Sequence, residues 1–114
     1  MASVTIDVAG EMLRNLERAE AERVRLVDLS RRIGWSEVQQ SKAIRAGLLE
    51  AERDPTEPRT RPYTITRDEA LTLLLAAVLA LLAGAAVVAA LRGVKSAGLT
   101  GPSAAAAIHA IVQT

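Results

Sequence analysis

The sequence predicts a mostly α-helical protein, and three observations carry that expectation. Aromatic residues are almost missing, with Trp35 and Tyr63 alone and no Phe among 114 residues. A core built from Leu, Ile, Val and Ala favours helices, because strands draw on aromatic and β-branched side chains. Ser and Thr precede several apolar-periodic stretches and Gly follows them, which is how helices start and stop. Finally, residues 70–91 form an uncharged run of twenty-two positions dominated by Ala and Leu.

Composition narrows the function classes. The formal charge is +1, so any nucleic-acid contact must come from a local patch and not from bulk charge. Cysteine is absent, which removes disulfides, thiolate zinc sites and thiol nucleophiles. The first twenty residues carry Asp7, Glu11, Glu17 and Glu20 and no apolar stretch, so no signal peptide is expected and a cytoplasmic location is.

Residues 3–9 alternate apolar and polar, the pattern of a short strand or extended arm. Residues 10–23 then turn helical, with Met12, Leu16 and Ala19 on one stripe and Asp7 and Glu11 near the start, where carboxylates suit the helix dipole. A shorter helix is expected over 27–33, ended by Gly34 in a left-handed conformation. Trp35 is expected to pack against the first helix. Ser36 has the chemistry of an N-cap, and Gln39 three residues on completes a capping box. A third helix follows over 37–46, with Gly47 after it and Leu48 and Leu49 turning back to the core.

Pro55, Pro58 and Pro62 exclude a helix over 50–62, while Arg53, Arg59 and Arg61 alternate with acids. This stretch reads as a loose hairpin whose return strand is 63–66. Thr66 is the next N-cap candidate, with Glu69 completing a second capping box. Beyond it lie the apolar run, a break at 98–102 and an Ala-rich terminal helix over 103–112. The expected organisation is a helix-turn-helix domain with a wing over 1–66 and an apolar helical element over 67–114.

The matching segments Leu29-Ser30-Arg31-Arg32-Ile33-Gly34-Trp35-Ser36, Ile44-Arg45-Ala46-Gly47-Leu48-Leu49, and Tyr63 followed by Thr66-Arg67-Asp68-Glu69-Ala70-Leu71 resemble the MerR-like winged helix-turn-helix group. The resemblance covers roughly residues 24–75. The usual paired aromatics of the second helix are replaced by Lys42 and Ala43, which argues against an effector-sensing member. Size and the long Ala/Leu helix look more like compact repressors and excision-type regulators of actinobacterial phages.

The resemblance implies that the motif's second helix enters the major groove of double-stranded DNA while the wing touches flanking backbone or minor groove. Residue chemistry suits those roles. Gln39 and Gln40 match adenine edges, and Lys42 and Arg45 match guanine or phosphate. Ser36 and the N–H groups at its helix start suit a phosphate. Arg31 and Arg32, with Arg59 and Arg61 from the wing, are placed to reach the backbone. Between Arg23 and Arg67 stand ten basic residues against six acidic ones, a modest local excess. Glu37 is expected to serve the helix dipole.

The apolar run has two readings. As one helix, 70–91 spans about 33 Å at ~1.5 Å per residue, enough for a bilayer core of roughly 30 Å. Its Leu and Val residues favour insertion by a few kcal/mol, at roughly 0.3–0.6 kcal/mol each. Against that, no aromatic belt flanks it, and Gly84 divides it into two helices of ordinary length. An all-apolar helix must be enclosed, and the rest of a 114-residue monomer looks too small to do it, so the second reading is a homodimer core. Ala76, Ala80, Gly84 and Val87 are the candidate dimerisation residues, a small-residue series suited to close contact. The alternative function is an inner-membrane anchor carrying a cytoplasmic N-terminal interaction domain.

His109 is the only histidine, so no Ser-His-Asp set is credible, and no phosphate loop or metal-ligand spacing occurs. The expected function is a sequence-specific transcriptional regulator, a repressor binding an operator as a homodimer. No enzymatic activity, cofactor or metal is expected.

Overall fold

The computed structural model describes residues 5–18, 22–53 and 63–113. The first helix, α1 (Ile6–Arg18), starts four residues before the expected Gly10 and absorbs the alternating stretch read as a strand. Thr5 explains the early start. Its hydroxyl accepts from the Val8 N–H at 3.2 Å and its carbonyl accepts from Ala9 at 2.8 Å, which caps the helix and places Ala9 on the same buried face as Met12, Leu13 and Leu16. Ala19, expected on that face, lies outside the described residues.

Arg23, expected in the first helix, instead opens strand β1 (Arg23–Arg25). Helix α2 (Leu26–Ile33) follows directly and ends at Gly34, whose φ of 73° is the left-handed conformation expected there. Helix α3 (Glu37–Arg45) and strands β2 (Glu52–Arg53) and β3 (Tyr63–Thr66) complete this part. The sheet order is β1-β3-β2, all antiparallel, with Val24 opposite Ile65 and Arg53 opposite Tyr63. The Arg23 guanidinium donates to Thr64 Oγ1 and to the Thr64 carbonyl, both at 2.8 Å, and so ties β1 to the central strand by its side chain too.

Thr66 caps α4 (Arg67–Ala83) by accepting from the Glu69 N–H at 3.1 Å. The expected return bond of a capping box is absent from this cap. The Glu69 carboxylate turns away to Lys95 at 2.9 Å and accepts from the Glu50 N–H at 3.0 Å, because an ammonium and a backbone donor on neighbouring elements compete for it. One side chain thus links the segment before β2 to a C-terminal helix.

The apolar run is not one helix. It breaks at Gly84, with φ 66°, and α5 (Val87–Ser96) leaves at 118° to α4. Among the described residues, no single helix is long and apolar enough to cross a membrane. The first part of the run is enclosed by the chain itself, whereas residues 81–86 stay exposed. Residues 70–78 and Ala80 of α4 are buried, packed by α1, α2, α5, the sheet and α6 (Pro102–Val112). Folding the run back on itself supplies part of the cover that a straight helix lacks.

Gly101 introduces α6 with φ 56° and ψ −124°, the first corner of a type II′ turn that glycine favours. Its N–H donates to Thr72 Oγ1 at 3.1 Å, while the same hydroxyl donates to the Asp68 carbonyl at 2.8 Å. His109 Nε2 lies 3.1 Å from both carboxylate oxygens of Glu17, joining α6 to α1. One apolar cluster runs from Ala9 to Ile108, continuous across the position 66/67 where two domains were expected to meet.

Candidate nucleic-acid interface

Helix α3 is held at the surface. Ala43 alone of its nine residues is buried. Its start is secured by a full capping box: Ser36 Oγ accepts from the Gln39 N–H at 3.2 Å, and Gln39 Oε1 accepts from the Ser36 N–H at 2.9 Å. The Gly34 turn and the Trp35 N–H bond to the Ser30 carbonyl, at 2.9 Å, set the angle at which α3 follows α2. Trp35 itself is buried, and its indole N–H and the Ser30 hydroxyl find no hydrogen-bond partner among the described residues.

The box changes what Gln39 can do. Its Oε1 also receives the Ser36 hydroxyl at 3.2 Å, so both lone pairs are engaged. Bidentate pairing with adenine requires that oxygen, so the expected adenine role competes with the cap for it. Gln40 is half-buried. The outward stripe of α3 instead carries Val38, Ser41, Lys42 and Arg45, of which Val38, Lys42 and Arg45 are exposed.

On the last turn of α2, Arg31 and Arg32 are both exposed, and Arg32 lies 3.6 Å from Glu11 of α1. Ser36 is exposed but committed to the cap, and Glu37 occupies the first turn of α3 as expected. Arg59 and Arg61 lie outside the described residues, as does the hairpin loop between β2 and β3. The structure therefore brings Ser36, Gln39, Gln40, Lys42 and Arg45 together on one surface helix, with Arg31 and Arg32 one turn upstream.

No protein-family model, curated protein or solved structure matches the chain. The functional reading rests on its own residues.

Of the four candidate dimerisation residues, Ala76 and Ala80 are buried inside the chain and have no face to offer a partner, because α5 and α6 already cover α4. Gly84 is exposed and Val87 half-buried. They belong to the corner between α4 and α5, whose exposure sequence reasoning missed. Residues 81–86 are all apolar or glycine and all exposed, led by Leu81 at 43% and Leu82 at 59%. In a run apolar on every side, nothing marks which residues end up outside. Val38, at 63% exposure, was also missed, although a signal existed: it is an apolar residue away from the buried side of a polar helix.

A cleft of about 300 Å³ opens between α1, β1 and α2, floored by Met12, Leu16, Val24 and Leu29. Its floor is apolar, and the groups at its edge are those of an ordinary surface.

Proposed function

We propose that this chain is a sequence-specific DNA-binding transcriptional regulator, a phage-type repressor that occupies an operator as a homodimer. The observation that carries the proposal is α3. A helix capped at both backbone and side-chain level, with one buried residue in nine, is stabilised as a surface probe and contributes little to the core. Its outward face presents Lys42 and Arg45, and the turn before it exposes Arg31 and Arg32. The order α2, turn, α3, then a β2–β3 hairpin supports a winged helix-turn-helix. In that arrangement α3 lies in the major groove, Lys42 and Arg45 reach guanine edges or phosphates, and Arg31 and Arg32 grip the backbone. Arg59 and Arg61, outside the described residues, are the further candidates for flanking backbone contacts.

The α4–α5 corner is the proposed dimer contact. Leu81 and Leu82 stand beside Gly84, Ala85 and Ala86, large next to small, so a two-fold axis lets the leucines of one copy sit over the small residues of the other. Two α3 helices held about 34 Å apart then read a two-fold symmetric site, which raises the affinity of a weak half-site.

The test is selection of binding sequences from a randomised duplex pool with the purified chain. A recovered consensus that is palindromic, and relaxed by Lys42→Ala or Arg45→Ala, is the expected result. Recovery of random sequence would count against the proposal. Light scattering should give a dimer mass that Leu81→Ser with Leu82→Ser reduces to a monomer. Recovery of the protein only with membranes would instead favour insertion of the corner into lipid.

A further inference from the structure

We infer that Val38 reads the C5-methyl group of a pyrimidine, thymine in unmodified DNA, and is a specificity-determining residue of α3. The inference rests on the DNA-binding reading above and adds the base chemistry to it.

Val38 is the most exposed large hydrophobic residue among those described, more so than Leu81, Leu82 or Leu99. Unlike Leu81 and Leu82, it stands between two exposed polar residues, Glu37 and Gln39. It sits in the first turn of α3, one turn from Lys42. At about 100° per residue, Val38, Lys42 and Arg45 fall within roughly 60° of one another, while buried Ala43 lies about 140° from Val38. The valine therefore faces outward with the two cations. It adds nothing to the protein core there, and its β-branch lowers helix propensity slightly.

The combination selects the partner. A surface that accepts one aliphatic side chain with two cations one and two turns farther along the same face must be apolar at one point and anionic beside it. A protein partner would be expected to meet a wider apolar patch than a single valine provides. The major groove fits, because phosphates line it and the C5-methyl of thymine is an apolar group on its floor. Position in the helix agrees, since recognition helices contact base edges with their N-terminal residues. The capping box supports the same assignment by holding the first turn, and with it the Val38 backbone, in one conformation.

The experiment starts from the consensus duplex selected by the full chain. Each thymine is replaced singly by deoxyuridine, which removes only the methyl group, and each cytosine by 5-methylcytosine. Affinities are measured for the wild type, Val38→Ala and Lys42→Ala. One thymine per half-site should show a roughly fourfold loss with deoxyuridine, the equivalent of one buried methyl group. Val38→Ala, which changes both protomers of the homodimer, should weaken binding to the thymine duplex by about the square of that factor, roughly sixteenfold, and lose the deoxyuridine effect, while Lys42→Ala keeps it. A gain at one 5-methylcytosine, lost in Val38→Ala, would retain the methyl contact and assign it to modified cytosine. Wild-type binding indifferent to every methyl, or a deoxyuridine effect that survives Val38→Ala, would overturn the inference while leaving DNA binding intact. No selectable duplex at all would overturn both. Val38→Ala should keep the wild-type thermal midpoint within a few degrees, which separates lost contact from lost fold.

Discussion

Replacing Ser36 by Ala should loosen α3 and little else. The helix has nine residues, fewer than the roughly 12–15 at which isolated helices become even marginal. Its tertiary support is limited to buried Ala43, whose methyl is worth about 0.8 kcal/mol, and Ile44, half-buried against the core. The Ser36–Gln39 box therefore carries a large share of its stability. Loss of such a cap costs about 1 kcal/mol, a roughly fivefold rise in the local opening equilibrium. Hydrogen exchange resolves this directly. Amides of residues 40–45 should exchange about five times faster in Ser36→Ala, while those of Leu73, Leu74 and Leu75 in the centre of α4 stay unchanged. Gln39→Ala should act in the same direction. Gln39→Glu, which keeps the acceptor and adds a first-turn carboxylate, should match or exceed the wild type. In DNA binding, Gln39→Ala should weaken all sequences alike. The reasoning fails if Ser36→Ala leaves α3 exchange unchanged, or if Gln39→Ala alters the preferred base at one position without altering exchange.

Three further outcomes test the packing. Leu74 is fully buried in α4, so Leu74→Ala should destabilise by about 2–5 kcal/mol and lower the melting temperature by about 10 °C or more. Gly101→Ala forces a Cβ to 3.1 Å from Asp68 Cγ at a φ of 56°, and urea denaturation should show a loss of about 1–3 kcal/mol. Ser30→Ala removes a buried hydroxyl that has no partner among the described residues and should be neutral or stabilising by up to about 1 kcal/mol in the same assay.

These predictions separate what was legible in the sequence from what was not. Local chemistry was legible. Gly34, Ser36 and Gln39 specify a helix end, a turn and a cap through bonds between residues three to five apart, and all three formed as expected. Gly84 broke the apolar run for an equally local reason. Choices made by competition were hidden. Gln39 has one carbonyl oxygen and two candidate roles, and proximity gave it to the cap. Glu69 met the same choice and went the other way, toward Lys95 and the Glu50 N–H, which only the fold brings near. Enclosure was the least legible feature. In α4 almost every residue after the first turn is apolar, so periodicity carries no face, and the side that α1, α5 and α6 cover cannot be told from the side left open. That is why Ala76 and Ala80 look available in sequence and are buried in the fold, whereas Leu81 and Leu82 look buried and are exposed.

The central claim is that the face of α3 recognises DNA sequence. The most direct measurement compares the purified chain's affinity for its selected duplex and for a scrambled duplex of the same composition, titrated from 50 to 200 mM salt. If Arg31, Arg32, Arg59 and Arg61 each neutralise about one phosphate, the slope is about −3.6 per protomer and about −7 for the bound homodimer, and affinity for either duplex falls on the order of 10⁴-fold across that range. The selected duplex should remain about a thousandfold or more tighter throughout, because base contacts do not release counterions. Equal affinity for the two duplexes at every salt concentration would contradict the account.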